Sequence, residues 1–124
     1  MREAEVEDRC DKIAGLYGYT ALRFSIRKRS PMPIGTPDRR YQGKYALWFE
    51  CKRVGGPPSE SRLSEAQHAF LTRELDAGAL ASCGTALELQ ALLDVLVRDP
   101  HRAPALCRKQ IASWASKGFR REAA

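Results

Sequence analysis

The sequence predicts a single α/β domain built on a central mixed sheet of about four strands, flanked by helices, with an extra helix at the C-terminus. Three observations lead there. Helical spacings of apolar residues alternate with short β-rich runs in the order helix, three strands, helix, strand, helix, helix. The helix between the third and fourth strands serves as a crossover that returns the chain to the sheet. A chain of 124 residues supplies one modest core and not two.

Taken in order, residues 3–17 place Val6, Cys10, Ile13 and Tyr17 on one helical stripe, which Gly18 ends. Tyr19 to Ile26 alternates loosely as a strand. Three basic residues and three prolines make residues 27–37 a loop with a positive stem. Asp38 to Tyr41 reads as a short strand, Gln42-Gly43-Lys44 as a turn, and Tyr45 to Lys52 as the strongest strand of the chain. Residues 53–61 are rich in glycine and proline and read as a second loop. Leu63 to Ala77 is a helix with Leu63, Ala66, Phe70, Leu71 and Leu75 inward, closed by Gly78. A short strand over 79–84, a helix over 86–98 stopped by Pro100, and an amphipathic helix over 104–117 complete the chain.

Composition narrows the function classes. The apolar fraction of 44% and charged fraction of 29% exclude wholesale disorder. A net charge of +6 points to a polyanionic partner. No apolar run approaches the roughly 20 residues that cross a bilayer, so no membrane association is expected. The acidic start Met1-Arg2-Glu3-Ala4-Glu5 is unlike a signal peptide. Cys10, Cys51, Cys83 and Cys107 form no Cys-x-x-Cys pair and have only His68 and His101 as possible co-ligands, which argues against structural zinc. Their apolar neighbours suit buried free thiols in a reducing, cytoplasmic setting.

Chemistry concentrates on Tyr45-Ala46-Leu47-Trp48-Phe49-Glu50-Cys51-Lys52. Strand alternation sends Glu50 and Lys52 to one face and Leu47, Phe49 and Cys51 to the other. Charges on a strand apolar on both faces are costly unless paired or metal-bound; alternatively the two simply mark an exposed strand end. Asp38 opens the preceding strand, and a hairpin can set it beside Glu50 and Lys52. Its plainer reading is a Pro-Asp turn residue. Two carboxylates and a lysine make a site for a hard cation such as Mg²⁺, which activates water for attack on a phosphodiester. Arg27, Lys28, Arg29, Arg39 and Arg40 flank this site in sequence and are placed to contact phosphates without reading bases.

Gly35-Thr36-Pro37-Asp38, a short spacer and Phe49-Glu50-Cys51-Lys52 resemble the signature of PD-(D/E)xK nucleases. Leu63-Ser64-Glu65-Ala66-Gln67 is similar to the Leu-Ser-x-x-Gln element of the VRR-NUC family within that superfamily, and the Glu3-x-x-Val6-Glu7 helix ended by Gly18 resembles that family's start. The resemblance covers residues 3–98, in the expected order.

The resemblance implies a restriction-endonuclease-like core over residues 1–99, with 100–124 a basic helical extension packed on the same domain. It makes Asp38 and Glu50 metal ligands, Lys52 the catalytic lysine, and Cys51 a ligand through its backbone carbonyl, with the thiol facing the opposite layer. Gln67 would line the site. Ser64-Glu65-Ala66-Gln67 is equally a capping box, and one side chain is not expected to hold both roles. The first helix would add an acidic residue, Glu7 preferred and Glu3 close behind. The implied activity is a Mg²⁺- or Mn²⁺-dependent, structure-specific DNA endonuclease, similar to Holliday-junction resolvases, acting as a homodimer on branched DNA. The alternatives are a non-catalytic DNA-binding module, or a partner-dependent subunit of a restriction or recombination complex. The tail's Leu106-Ile111-Trp114 stripe is expected to serve packing or a subunit contact.

Overall fold

The computed structural model describes residues 3–23, 34–37 and 39–121. Helix α1 (Glu3–Leu16) leads into strand β1 (Thr20–Arg23), then β2 (Arg39–Gln42) and β3 (Ala46–Cys51). A one-turn helix α2 (Pro58–Ser61) precedes α3 (Glu65–Asp76), β4 (Leu80–Gly84), α4 (Ala86–Arg98), a 3₁₀ turn (Pro100–Arg102) and α5 (Ala103–Ala115). The order expected from sequence is recovered, with two short additions: the 3₁₀ turn at Pro100–Arg102, and α2 at the end of the expected loop 53–61, which Pro58 starts because its fixed φ and missing N–H suit a first helical position.

The sheet runs in the order β1-β2-β3-β4. β1 with β2 and β2 with β3 are antiparallel, while β3 and β4 are parallel, as a helical crossover through α3 requires. Arg39 is the partner of Phe49, Arg40 of Trp48 and Tyr41 of Leu47, so β2 and β3 each present one residue set to each face. The odd-numbered set faces α1, where the Tyr41 hydroxyl donates to Asp11 at 2.7 Å. The even-numbered set faces α3, where Trp48 Nε1 donates to Glu74 at 2.9 Å.

Helix α4 packs beside α1, and α5 runs against β4 while touching both α3 and α4. This is an α/β fold with a four-stranded mixed sheet between helical layers, and α5 is integral to it. A buried polar chain ties α5 in: Ser82 Oγ donates to Gln110 at 2.7 Å, and Trp114 Nε1 to Glu88 at 2.6 Å. Among the described residues, no helix is long and apolar enough to cross a membrane.

All four cysteines are free and buried, as their apolar neighbours led us to expect. Burial pushes the Cys107 thiol from about 9.0 up to about 11, against lowering hydrogen bonds from Ala81 and Ser82. Burial also pushes Cys83 well up. A folded-state value above the unfolded one means that the fold favours the neutral thiol. The stabilisation is therefore complete below the unfolded value and is lost as pH rises through the folded one. Urea unfolding should show stability declining between about pH 9 and pH 11, and Cys107→Ala should soften that decline without abolishing it, since Cys83 still titrates. Parallel stability–pH curves for the two proteins would refute the assignment.

Candidate active site

Glu50 lies on the α3 face of β3, two residues beyond Trp48, and meets α3 at Gln67, whose Nε2 donates to Glu50 Oε1 at 2.6 Å. Trp48 fixes the approach of that helix, standing edge-on to Phe70 with ring centroids 5.3 Å apart. Lys52 sits just past the strand. Its main-chain N–H donates to the Gly84 carbonyl at 2.9 Å and its ammonium to the Ser59 carbonyl at 3.3 Å. Relative exposures of 4% for Glu50 and 2% for Lys52 rule out the alternative that these charges mark an exposed strand end. Both groups influence the buried Cys83 thiol: after burial itself, Glu88 and Glu50 push it up and Lys52 opposes them. Carboxylate and ammonium thus share one desolvated neighbourhood, where each costs several kcal/mol if left uncompensated.

Gln67 corrects the expectation that one side chain could not be both cap and site residue. Its Oε1 accepts the Ser64 N–H at 3.0 Å while Ser64 Oγ accepts the Gln67 N–H at 3.0 Å, completing the capping box. The other end of the same amide holds Glu50. The two roles use different atoms, so the start of α3 and the carboxylate of β3 are fixed by one group.

The Gly35-Thr36-Pro37 segment reaches the same place. Gly35 has φ of +90°, and a Cβ there would lie 2.2 Å from the Ala66 carbonyl oxygen, so only glycine lets this segment rest on the first turn of α3. Thr36 is 1% exposed. Asp38, expected to join Glu50, lies outside the described residues, as do Arg27, Lys28, Arg29 and the side chain of Glu3. Arg39, which follows Asp38 in sequence, is paired with Phe49, which precedes Glu50.

The opposite face holds two of the residues expected at the site. Arg39, expected at a phosphate, has a side chain only 5% exposed; its Nε donates to Asp11 at 3.0 Å and its Nη2 to Glu7 at 3.3 Å. Burial alone would lower the Arg39 guanidinium, but the Asp11 hydrogen bond and charge, with Glu7, outweigh it and push the group up. Strand alternation is the physical reason, because it turns Arg39 toward α1 and leaves Arg40 on the α3 face, over the Trp48 ring at 4.6 Å from its centroid. Glu7, assigned to the site, is accordingly brought to Arg39 on the α1 side. Asp11, missed from sequence, organises that side by accepting from Arg39, Tyr41 and Arg23. Its signal was present as the helical i,i+4 spacing from Glu7. Burial pushes the Tyr41 hydroxyl well up, and Cys51 and Asp11 add to it, which places the Cys51 thiol in this layer, away from Glu50.

A groove of about 280 Å³, lined by none of Glu50, Lys52 or Gln67, opens between Val6 and Arg9 of α1, Arg53 and Val54 of the following loop, and Thr85 and Leu87 at the start of α4. It lies at the carboxyl ends of the parallel pair β3 and β4, the usual position for ligands in α/β sheets. Among the described residues no three His, Cys, Asp or Glu side chains cluster around a metal position. Of the expected ligand set those residues supply Glu50 and the Cys51 carbonyl, both hard oxygen donors suited to Mg²⁺.

Comparison of the chain with family models, with curated proteins and with solved structures finds no match.

Because Gln67 serves two partners, Gln67→Ala should cost about 2 kcal/mol or more, against about 1 kcal/mol for Ser64→Ala, which removes only part of the cap. Chemical denaturation measures both, and equal losses would mean that the Glu50 contact contributes nothing.

Proposed function

We propose that this protein is a metal-dependent, structure-specific DNA endonuclease with a restriction-endonuclease-like core, related to the VRR-NUC family and acting as a homodimer on branched DNA. The observation that carries the reading is the burial of Glu50 at the end of β3 and of Lys52 just past it, with Gln67 donating to the carboxylate. A fold gains little stability from two buried charges two residues apart, and a hydrophobic pair would serve packing as well. Chemistry on a charged substrate explains their presence.

In this reading Glu50, the Cys51 carbonyl and Asp38 hold Mg²⁺ or Mn²⁺. The bound cation supplies Lewis-acid polarisation of the phosphodiester and a lowered pKa for coordinated water. Gln67 fixes the rotamer of Glu50, so that the carboxylate is already oriented when a cation arrives. The Lys52 ammonium is held at the Ser59 carbonyl by one long hydrogen bond, which leaves it able to turn toward charge developing on the phosphate. Arg40, on the same face as Glu50, is the described member of the basic set placed to reach the substrate backbone. A two-fold dimer suits paired cuts on a four-way junction.

Cleavage of labelled duplex, flap, nicked and four-way DNA with Mg²⁺, Mn²⁺ or EDTA tests the proposal. Wild type should cut only with metal, and best on branched substrates. Glu50→Gln, Asp38→Asn and Lys52→Met should each lower the rate at least ~100-fold while DNA affinity persists. Undiminished cutting by Glu50→Gln would remove the site; metal-independent binding without cutting by wild type would make the chain a binding module.

A further inference from the structure

The C-terminal segment, read from sequence as packing or a subunit contact, returns to the candidate site. Helix α5 ends at Ala115, and Gly118 at φ of +90° turns the chain back, a conformation that side chains resist. The Arg120 N–H then donates to the Leu63 carbonyl at 2.9 Å, and the Phe119 ring sits 5.3 Å from that of His68. This docking delivers the Arg120 guanidinium to the Ser59 carbonyl at 3.0 Å, the same oxygen that holds the Lys52 ammonium. Arg62 approaches from the same side, its Nη1 lying 4.0 Å from where a Cβ on Gly118 would stand.

Two cations on one carbonyl repel each other, and a neutral acceptor offsets little of that repulsion. The nearby Glu60 carboxylate is engaged by Arg53 at 3.5 Å. Among the described residues no carboxylate lies within ion-pair distance of Lys52, Arg62, Lys117, Arg120 or Arg121. Arg62, Lys117 and Arg121 are exposed, and Arg120 is half-buried. A phosphate backbone complements the Arg120 and Arg62 cations gathered on the side of Lys52.

We infer that Arg62, Arg120 and Arg121 form a nucleic-acid backbone contact surface continuous with Lys52, holding phosphates adjacent to the one presented to Glu50. The inference rests on the endonuclease reading and deepens it by giving the substrate strand a path. The surface reads charge and spacing and makes no base contacts, so it takes any DNA sequence.

The test is metal-free binding of the wild-type chain to labelled duplex and four-way DNA in EDTA, titrated across KCl concentrations. Arg62→Gln/Arg121→Gln changes only exposed side chains, and its slope of log affinity against log salt should shrink by about 0.9 for each phosphate that is no longer neutralised. Arg120→Gln should shrink it further, and Arg120→Lys should restore it. Thermal melts confirm that each variant is folded. Wild-type binding with an unchanged slope in both Gln variants would overturn this surface and leave the nuclease reading standing. A reduced slope in a protein that never cuts would keep the surface and remove the catalytic reading, and no wild-type binding at any salt would overturn both.

Discussion

The contact between Gln67 and Glu50 is the interaction on which the rest of this structure depends. A buried carboxylate on a central strand is tolerable only with a dedicated donor, and that donor must be rigid. Rigidity comes from the opposite end of the same amide, which is engaged in capping α3. Positioning of the helix and orientation of the carboxylate are therefore one event. Gly35 adds a third party, since its segment rests on the backbone of Ala66 and Gln67 with no room for a side chain. Three segments distant in sequence meet at a single helical turn, and displacing any one of them moves Glu50.

Across the sheet a second charged cluster does different work. Arg39, Glu7, Asp11 and Tyr41 form a partly buried network that clamps α1 to β2. Its charges are matched, and the exposed side of Asp11 is met by Arg23 at 3.1 Å. The two faces of the sheet thus carry opposite electrostatic designs. One is neutralised by internal pairing, while the other keeps an ammonium with a single long hydrogen bond to a carbonyl. Pairing on the α1 side offsets the desolvation of its charges, whereas the Lys52 ammonium has only a neutral acceptor to offset its own.

How much of this was legible in the sequence follows from which atoms decide each feature. Strand period alone places Glu50 and Lys52 on one face and Cys51 on the other, and the structure keeps Glu50 and Cys51 on opposite faces. The same period implies that Arg39 and Arg40 point to opposite layers, yet charge and proximity to Asp38 group them as one phosphate-binding pair. What is missing is the identity of the helix each would meet, a tertiary fact that no local pattern contains. The dual use of Gln67 is obscured by treating a side chain as one functional group when an amide has two independent ends. The one-turn helix at Pro58–Ser61 is hidden by its glycine- and proline-rich composition, although Pro58 is itself a helix-start signal.

The C-terminal segment was the least legible part, and its placement changes what the domain is. Helix α5 packs along β4, and Trp114 donates to Glu88, whose other oxygen accepts the Thr85 N–H at the start of α4. Gly84, immediately before that cap, leaves no space for a side chain against Glu88 and offers its carbonyl to the Lys52 N–H. From the other direction Arg120 reaches the Ser59 carbonyl that receives the Lys52 ammonium. The backbone of Lys52 thus rests on Gly84, next to the cap that Trp114 braces, while its ammonium shares an acceptor with Arg120. An appended helix that only covered a strand would not need to end in a left-handed turn that brings its tail back across α3. The return of the chain at Gly118 instead brings Arg120 to the carbonyl oxygen that the Lys52 ammonium also reaches.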